Sequence, residues 1–210
     1  MLQHQWIRLE RSDARAVLEK IGSREDAIVF SKEVTDVSYR STQFYTKYKV
    51  YKLTNYATMP VFSMTYLSNG ENFYTLDGLA NPIYTVNELD PITLTERNVV
   101  LYLEFFFENV QGSEGEVFLI KGPKEMPFFE TLPLAQQQEI INTFKPVRVN
   151  PIAKDENISF EVTATLHYGD SIIETNIFVN HDGKITFTEQ NILVSGVHME
   201  DSPYTRQASI

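Results

Sequence analysis

No cysteine occurs among the 210 residues. That excludes disulfides, thiolate-held zinc or iron–sulfur centres, and cysteine nucleophiles. Histidine is scarce too, with four copies at positions 4, 167, 181 and 198. None stands at a metal-ligating spacing such as H-x-x-x-H or H-E-x-x-H. His167 and His181 fall at opposite ends of one predicted strand, roughly 30 Å apart at about 3.3 Å per residue, so they cannot share an ion within one chain. The nine glycines form neither G-x-G-x-x-G nor G-x-x-x-x-G-K-[ST], and no G-x-S-x-G elbow is present. Gln111-Gly112-Ser113-Glu114-Gly115 reads as a helix stop and a loop before a strand. No metal and no cofactor is expected.

Long apolar runs are also lacking. The greasiest stretch, Val99 to Phe107, is interrupted by Glu104 and falls well short of the ~20 residues a bilayer requires. The first residues show no basic start followed by an apolar run, so no secretory signal is read. The expectation is a cytoplasmic protein without a membrane role.

Positive charge is in short supply. The formal charge is −10 and the isoelectric point is near 4.9. Such a chain repels nucleic acid and anionic membranes unless its charge is unevenly spread. It is uneven. Between Val37 and Gly70 there is no Asp or Glu, while Arg40, Lys47, Lys49 and Lys52 contribute +4; with −10 overall, the rest carries −14. Eight of the 11 tyrosines lie between Tyr39 and Tyr84. On a strand, Lys47 and Lys49 share a face with Tyr45 and Tyr51. The plainest explanation is an edge strand guarded by lysine against foreign pairing. A protein interface is the functional alternative, because tyrosine is enriched there. A stacking groove for single-stranded nucleic acid is the least favoured. Arg40, Tyr45, Lys47, Lys49 and Tyr51 are the candidate interaction surface.

What is present suits a globular chain: 42% hydrophobic and 22% charged residues are ordinary usage. A single α+β domain is expected over 1–196, with a subdivision entertained near 90. Residues 197–210 are aperiodic and polar, and read as a tail or an arm ordered by another subunit. Ala14, Val17, Leu18 and Ile21 recur at helical spacing after Ser12, and Gly22 stops the run. Ile28-Val29-Phe30 and Ile83 to Val86 read as short strands. Phe44 to Thr54 and Val61 to Leu67 have the β-branched and aromatic content of strands. Ser68-Asn69-Gly70-Glu71 then turns the chain toward Phe73–Leu76. Glu116 to Lys121 is a further strand, and a helix over about 133–144 carries Leu134, Ile141 and Phe144.

Residues 95–111 predict a long apolar helix, with Thr93/Glu96 as a capping box or Thr95 as an alternative cap. Val99, Leu103, Phe106, Phe107 and Val110 form a wide apolar face. Arg97, Glu104, Glu108 and Gln111 form a narrow polar stripe, and Asn98, Tyr102 and Asn109 a third side. So little charge predicts burial. Glu104 and Glu108, four apart, are the only catalytic candidates, as a carboxylate acid/base pair. Against that stands the wet edge of a buried helix. Asn98, Tyr102 and Asn109 either line a pocket or are satisfied by backbone.

The C-terminal third predicts a three-stranded meander over about 158–193. Gly169-Asp170 makes a two-residue turn that pairs Leu166 with Ile173 and Val162 with Ile177. The next turn takes three residues, His181-Asp182-Gly183, because only that register puts Ile185 and Phe187 opposite Val179 and Ile177. His167 is expected on the outer face and His181 in a solvated turn. A helix followed by such a meander resembles, in topology, the cystatin-like or nuclear-transport-factor-like cone, which implies a curved sheet around a helix and a pocket. The expected fold is α+β, with antiparallel sheet packed on the long helix. The expected function is a non-catalytic interaction module that self-associates or holds another protein. The alternatives are a small-molecule pocket protein with a carboxylate acid/base and a weak polyanion binder.

Overall fold

The computed structural model describes residues 5–22, 27–126, 129–154 and 157–197. Two compact units divide the chain, Met1–Asn98 and Val99–Ile210. Each holds a five-stranded antiparallel sheet with helices, an α+β fold.

In the first unit, β1 (Ile7–Arg8) leads into α1 (Arg11–Ile21), then β2 (Thr35–Arg40), β3 (Lys49–Asn55), β4 (Phe62–Ser68) and β5 (Phe73–Thr75), in spatial order β1-β2-β3-β4-β5. The helix buries Ala14, Leu18 and Ile21, the expected face. These pack with Val37, Leu53, Tyr66 and Phe73, whose registers place them on one side of the sheet. The expected β4–β5 turn is present, pairing Ser68 with Phe73. The Ile28–Phe30 strand does not form. The Phe30 amide donates to Ala27 O at 3.0 Å, and Asn55 Nδ2 donates to Val29 O at 2.6 Å, so the segment turns.

Two further expectations fail here for identifiable reasons. Residues 83–86 belong to a helix, α2 (Asn81–Leu89), with Pro82 in its first turn. Its buried residues Ile83, Val86 and Asn87 have helical spacing, and that period prevails over the β-branched composition. Strand β3 also starts five residues later than the composition implies. The Tyr45 amide donates to Thr42 Oγ1, and the Thr46 and Lys47 amides donate to Asp90 Oδ2 at 3.2 and 2.8 Å. Donors held by side chains cannot join a ladder.

The second unit opens with α3 (Val99–Asn109), followed by β6 (Val117–Ile120), two single 3-10 turns, α4 (Leu134–Thr143), β7 (Arg148–Lys154), β8 (Asn157–Tyr168), β9 (Ser171–Val179) and β10 (Ile185–Ser195). Helix α3 is shorter than the expected 95–111 span. Asn98 shapes the turn just before it, with its Oδ1 accepting from the Thr95 amide at 2.7 Å. The sheet order is β10-β9-β8-β6, with β7 also on β8. Strands β6 and β7 share one edge of β8: β6 pairs with its Thr165–Tyr168 end and β7 with Asn157–Thr163.

The meander has the expected register, with Leu166 opposite Ile173, Val162 opposite Ile177, Ile185 opposite Val179 and Phe187 opposite Ile177. The three-residue turn is closed by the Asn180 amide on Lys184 O at 2.9 Å, with Gly183 at φ 81°. Phe160, Val162, Leu166, Ile177 and Val179 are buried on the inner face. Helix α3 lies there: Tyr102 donates to Gly183 O at 2.7 Å, and Phe107 stacks on Phe187 at 6.0 Å. Ile158, by contrast, is half exposed at the start of β8.

A second apolar layer covers the outer face, which the sequence reading left wet. Ile120, Met126, Phe129, Leu132, Ile140 and Ile172 cluster with Val194 and Val197. Helix α4 supplies Ile140, not the expected Leu134 and Ile141, which are exposed. Two bulges in β10, between Phe187 and Glu189 and between Ile192 and Val194, shift its faces so that Val194 meets Ile172 on this side. Val197 is buried in the cluster; the rest of the expected tail, 198–210, lies outside the described residues, as do His4 and His198.

Candidate functional site

The expected interaction residues occupy three different settings. Tyr45 is buried ahead of β3, and its hydroxyl donates to Asn87 Oδ1 at 2.6 Å. Lys47 is exposed in the same irregular stretch. Lys49 and Tyr51 lie on β3 and share a face with Tyr39, which stands opposite Tyr51. Lys49 Nζ lies 4.6 Å from the Tyr39 ring centroid, and the Tyr39 and Tyr51 rings are 5.9 Å apart. Burial, then the neighbouring Tyr39, push the Tyr51 hydroxyl above the usual tyrosine range. Arg40 stands opposite Val50 and therefore faces the other side, with its guanidinium 4.9 Å from the Trp6 ring centroid. The basic segment is thus two cation–aromatic pairs on opposite faces of the first sheet.

Much of the tyrosine cluster is internal packing. Tyr45, Tyr48 and Tyr66 are buried, and Tyr66 meets Phe73 edge-on at 6.3 Å. The partly exposed row on the α1 side of the sheet is Lys49, Tyr39 and Tyr51, with Ile7 opposite Tyr39 and 51% exposed.

On α3, Glu104 is largely covered and pairs with Lys121 of β6 at 2.7 Å, while Glu108 is exposed. The hydrogen bond to Glu104 pushes the Lys121 ammonium above its ordinary pKa. The three polar candidates are each bonded to backbone. Asn98 Nδ2 donates to Thr93 O at 2.8 Å and Gln43 O at 3.2 Å, Tyr102 donates to Gly183 O, and Asn109 Nδ2 donates to Phe105 O at 2.7 Å. Among the described residues no group of three His, Asp or Glu could hold a metal ion, and no helix is long and apolar enough to cross a membrane.

His167 is on the outer face, but beneath the second layer, where it is almost fully buried. Its Nε2 donates to Val197 O at 3.2 Å, and its Nδ1 has no partner among the described residues. Burial holds its pKa below the usual histidine value, against the Val197 carbonyl and Asp170, which favour the charged ring. His181 is exposed in its turn, as expected.

The sequence reading missed a cleft of about 630 Å³ between α1 and β2. Arg11 and Arg15, one helical turn apart, stand on one wall, and Lys32 to Val37 form the other. The Arg11/Arg15 spacing was visible in the sequence; the wall facing it was not, because residues 23–43 carry no clear period.

No family model, no curated protein and no solved structure matches this chain.

Proposed function

We propose that this protein is a non-catalytic interaction module whose first sheet binds a second copy of the chain. The observation that carries the reading is the row Lys49, Tyr39 and Tyr51, partly exposed beside Ile7. Aromatic rings with an adjacent cation suit the core of an interface. A second copy offers the complement, since +4 sits in the segment between Val37 and Gly70 and −14 in the rest. The Glu104–Lys121 pair and the backbone-bound Asn98, Tyr102 and Asn109 favour structural roles for the residues that could otherwise have lined a reactive pocket.

Sedimentation velocity tests this. Wild type should associate at tens of micromolar in low salt and dissociate as salt screens the charges. Charge reversal at two partly or fully exposed lysines, Lys47→Glu with Lys49→Glu, should weaken association at least about tenfold, the equivalent of ~1.4 kcal/mol. A strict monomer in low salt, or a dimer insensitive to both salt and charge reversal, overturns the reading.

A further inference from the structure

The turn that joins β4 to β5 carries a reactive dipeptide. Asn69-Gly70 is the single Asn-Gly pair in the sequence. The carboxamide of an asparagine is open to attack by the amide nitrogen of the residue that follows it. Glycine at that place has no Cβ to obstruct the approach. Gly70 sits at φ 91°, with open space on the side of its Cα where a side chain would stand. Asn69 is itself exposed, so water reaches the pair.

The closed turn ties both reacting groups. The Gly70 N–H donates to Ser68 Oγ at 2.9 Å, and Ser68 is fully buried, which anchors the acceptor. Asn69 Oδ1 accepts from the amides of Glu71 and Asn72 at 3.0 and 2.9 Å, which fixes the plane of its carboxamide. Lys20 of α1 clamps the turn from outside, with its Nζ 2.7 Å from Gly70 O and 2.6 Å from Glu71 Oε1. The nucleophile is held by its proton and the electrophile by its oxygen.

We propose that Asn69 is a modification site, dormant in the closed turn and converted with water when the turn opens. Gly70 N gives up its proton to a solvent base and bonds to Asn69 Cγ. The Cγ–Nδ2 bond breaks, and Nδ2 takes up a proton and leaves as ammonia. The five-membered imide then adds water at either carbonyl. The product is aspartate at 69 or its iso form, in which the main chain runs through Cγ. No oxidant or cofactor enters. Either product adds a negative charge two residues from Glu71. The iso form also lengthens the main chain of a turn whose length sets the Ser68–Phe73 pairing. The site does not depend on the self-association surface.

The test incubates the full chain at mildly alkaline pH and follows aspartate and iso-aspartate at 69 by peptide mass mapping. Native wild type should convert at least about tenfold more slowly than the same chain unfolded in urea, since the hydrogen bonds of the turn must break before reaction. Ser68→Ala should raise the native rate severalfold by freeing the Gly70 N–H. Lys20→Gln, a surface change, should raise it too, with little movement of the thermal midpoint. Neither substitution should alter the rate in urea. Lys20→Gln carries the test alone where Ser68→Ala does not fold. Equal rates in the native and unfolded chain overturn the proposal, as does indifference to both substitutions. A faster native rate overturns it as well, because the two amides on Oδ1 would then be acting as an oxyanion hole.

Discussion

Asp90 decides where the third strand begins. Its carboxylate is buried and accepts from the Thr46 and Lys47 amides. Removing it leaves two donors without a partner, at about 1–3 kcal/mol for a buried group. Asp90→Ala should therefore lower the unfolding free energy by that amount, read as a lower urea midpoint at unchanged slope, and amide exchange should rise at residues 46 and 47. A composition-based reading could not see this, because Phe44 to Tyr48 looks like the strand that follows it; only a carboxylate more than forty residues away distinguishes the two. His167 carries a pH dependence of known sign. Its folded pKa is held below the unfolded value, so the ring stays neutral in the fold while the unfolded chain takes up a proton. Stability is then complete above the unfolded pKa of roughly 6.5 and falls as pH drops below it, by up to about 1.4 kcal/mol per pH unit. Urea unfolding between pH 7.5 and 5.5 should show this loss, and His167→Gln should remove most of it.

At the scale of elements, the C-terminal meander was legible because period-two alternation and turn chemistry agree. Gly169 and Gly183 take up the positive φ their turns require, and the apolar match on both sides fixes the register. Strand β7 gave no comparable signal. Pro151 interrupts it, and proline argues against a central strand; the strand survives because it pairs only with β8. Helix α4 misled through exposed Leu134 and Ile141, since its buried side is essentially Ile140. Burial also separates two chemically equal residues that alternation alone treats alike. Ile177 is fully buried and Ile192 is 68% exposed. Ile177→Ala should cost about 2–5 kcal/mol, whereas Ile192→Ala should stay within about 0.5 kcal/mol, both read from chemical denaturation.

At the scale of the whole molecule, the −10 charge and its segregation were plain in the sequence, and so was the α+β class. The two cation–aromatic pairs were not, because their faces depend on register. Arg40 and Lys49 belong to one basic segment, yet the β2–β3 pairing places them on opposite sides of the sheet. The cleft was hidden for a related reason. Thr35 and Arg15 come to line one cleft only when α1 folds onto β2, and a hydroxyl without a partner exists only once its neighbours are placed.

The bulges of β10 have a consequence for the molecule's behaviour in concentrated solution. Eleven residues with only one charged side chain, at the open margin of a sheet, would ordinarily template fibrils. Here no uninterrupted paired run exceeds the four residues Glu189–Ile192, below the six or seven that a steric zipper stacks. The irregularities at Thr188 and Leu193 thus act as spacers that keep one copy from crystallising onto another along this margin.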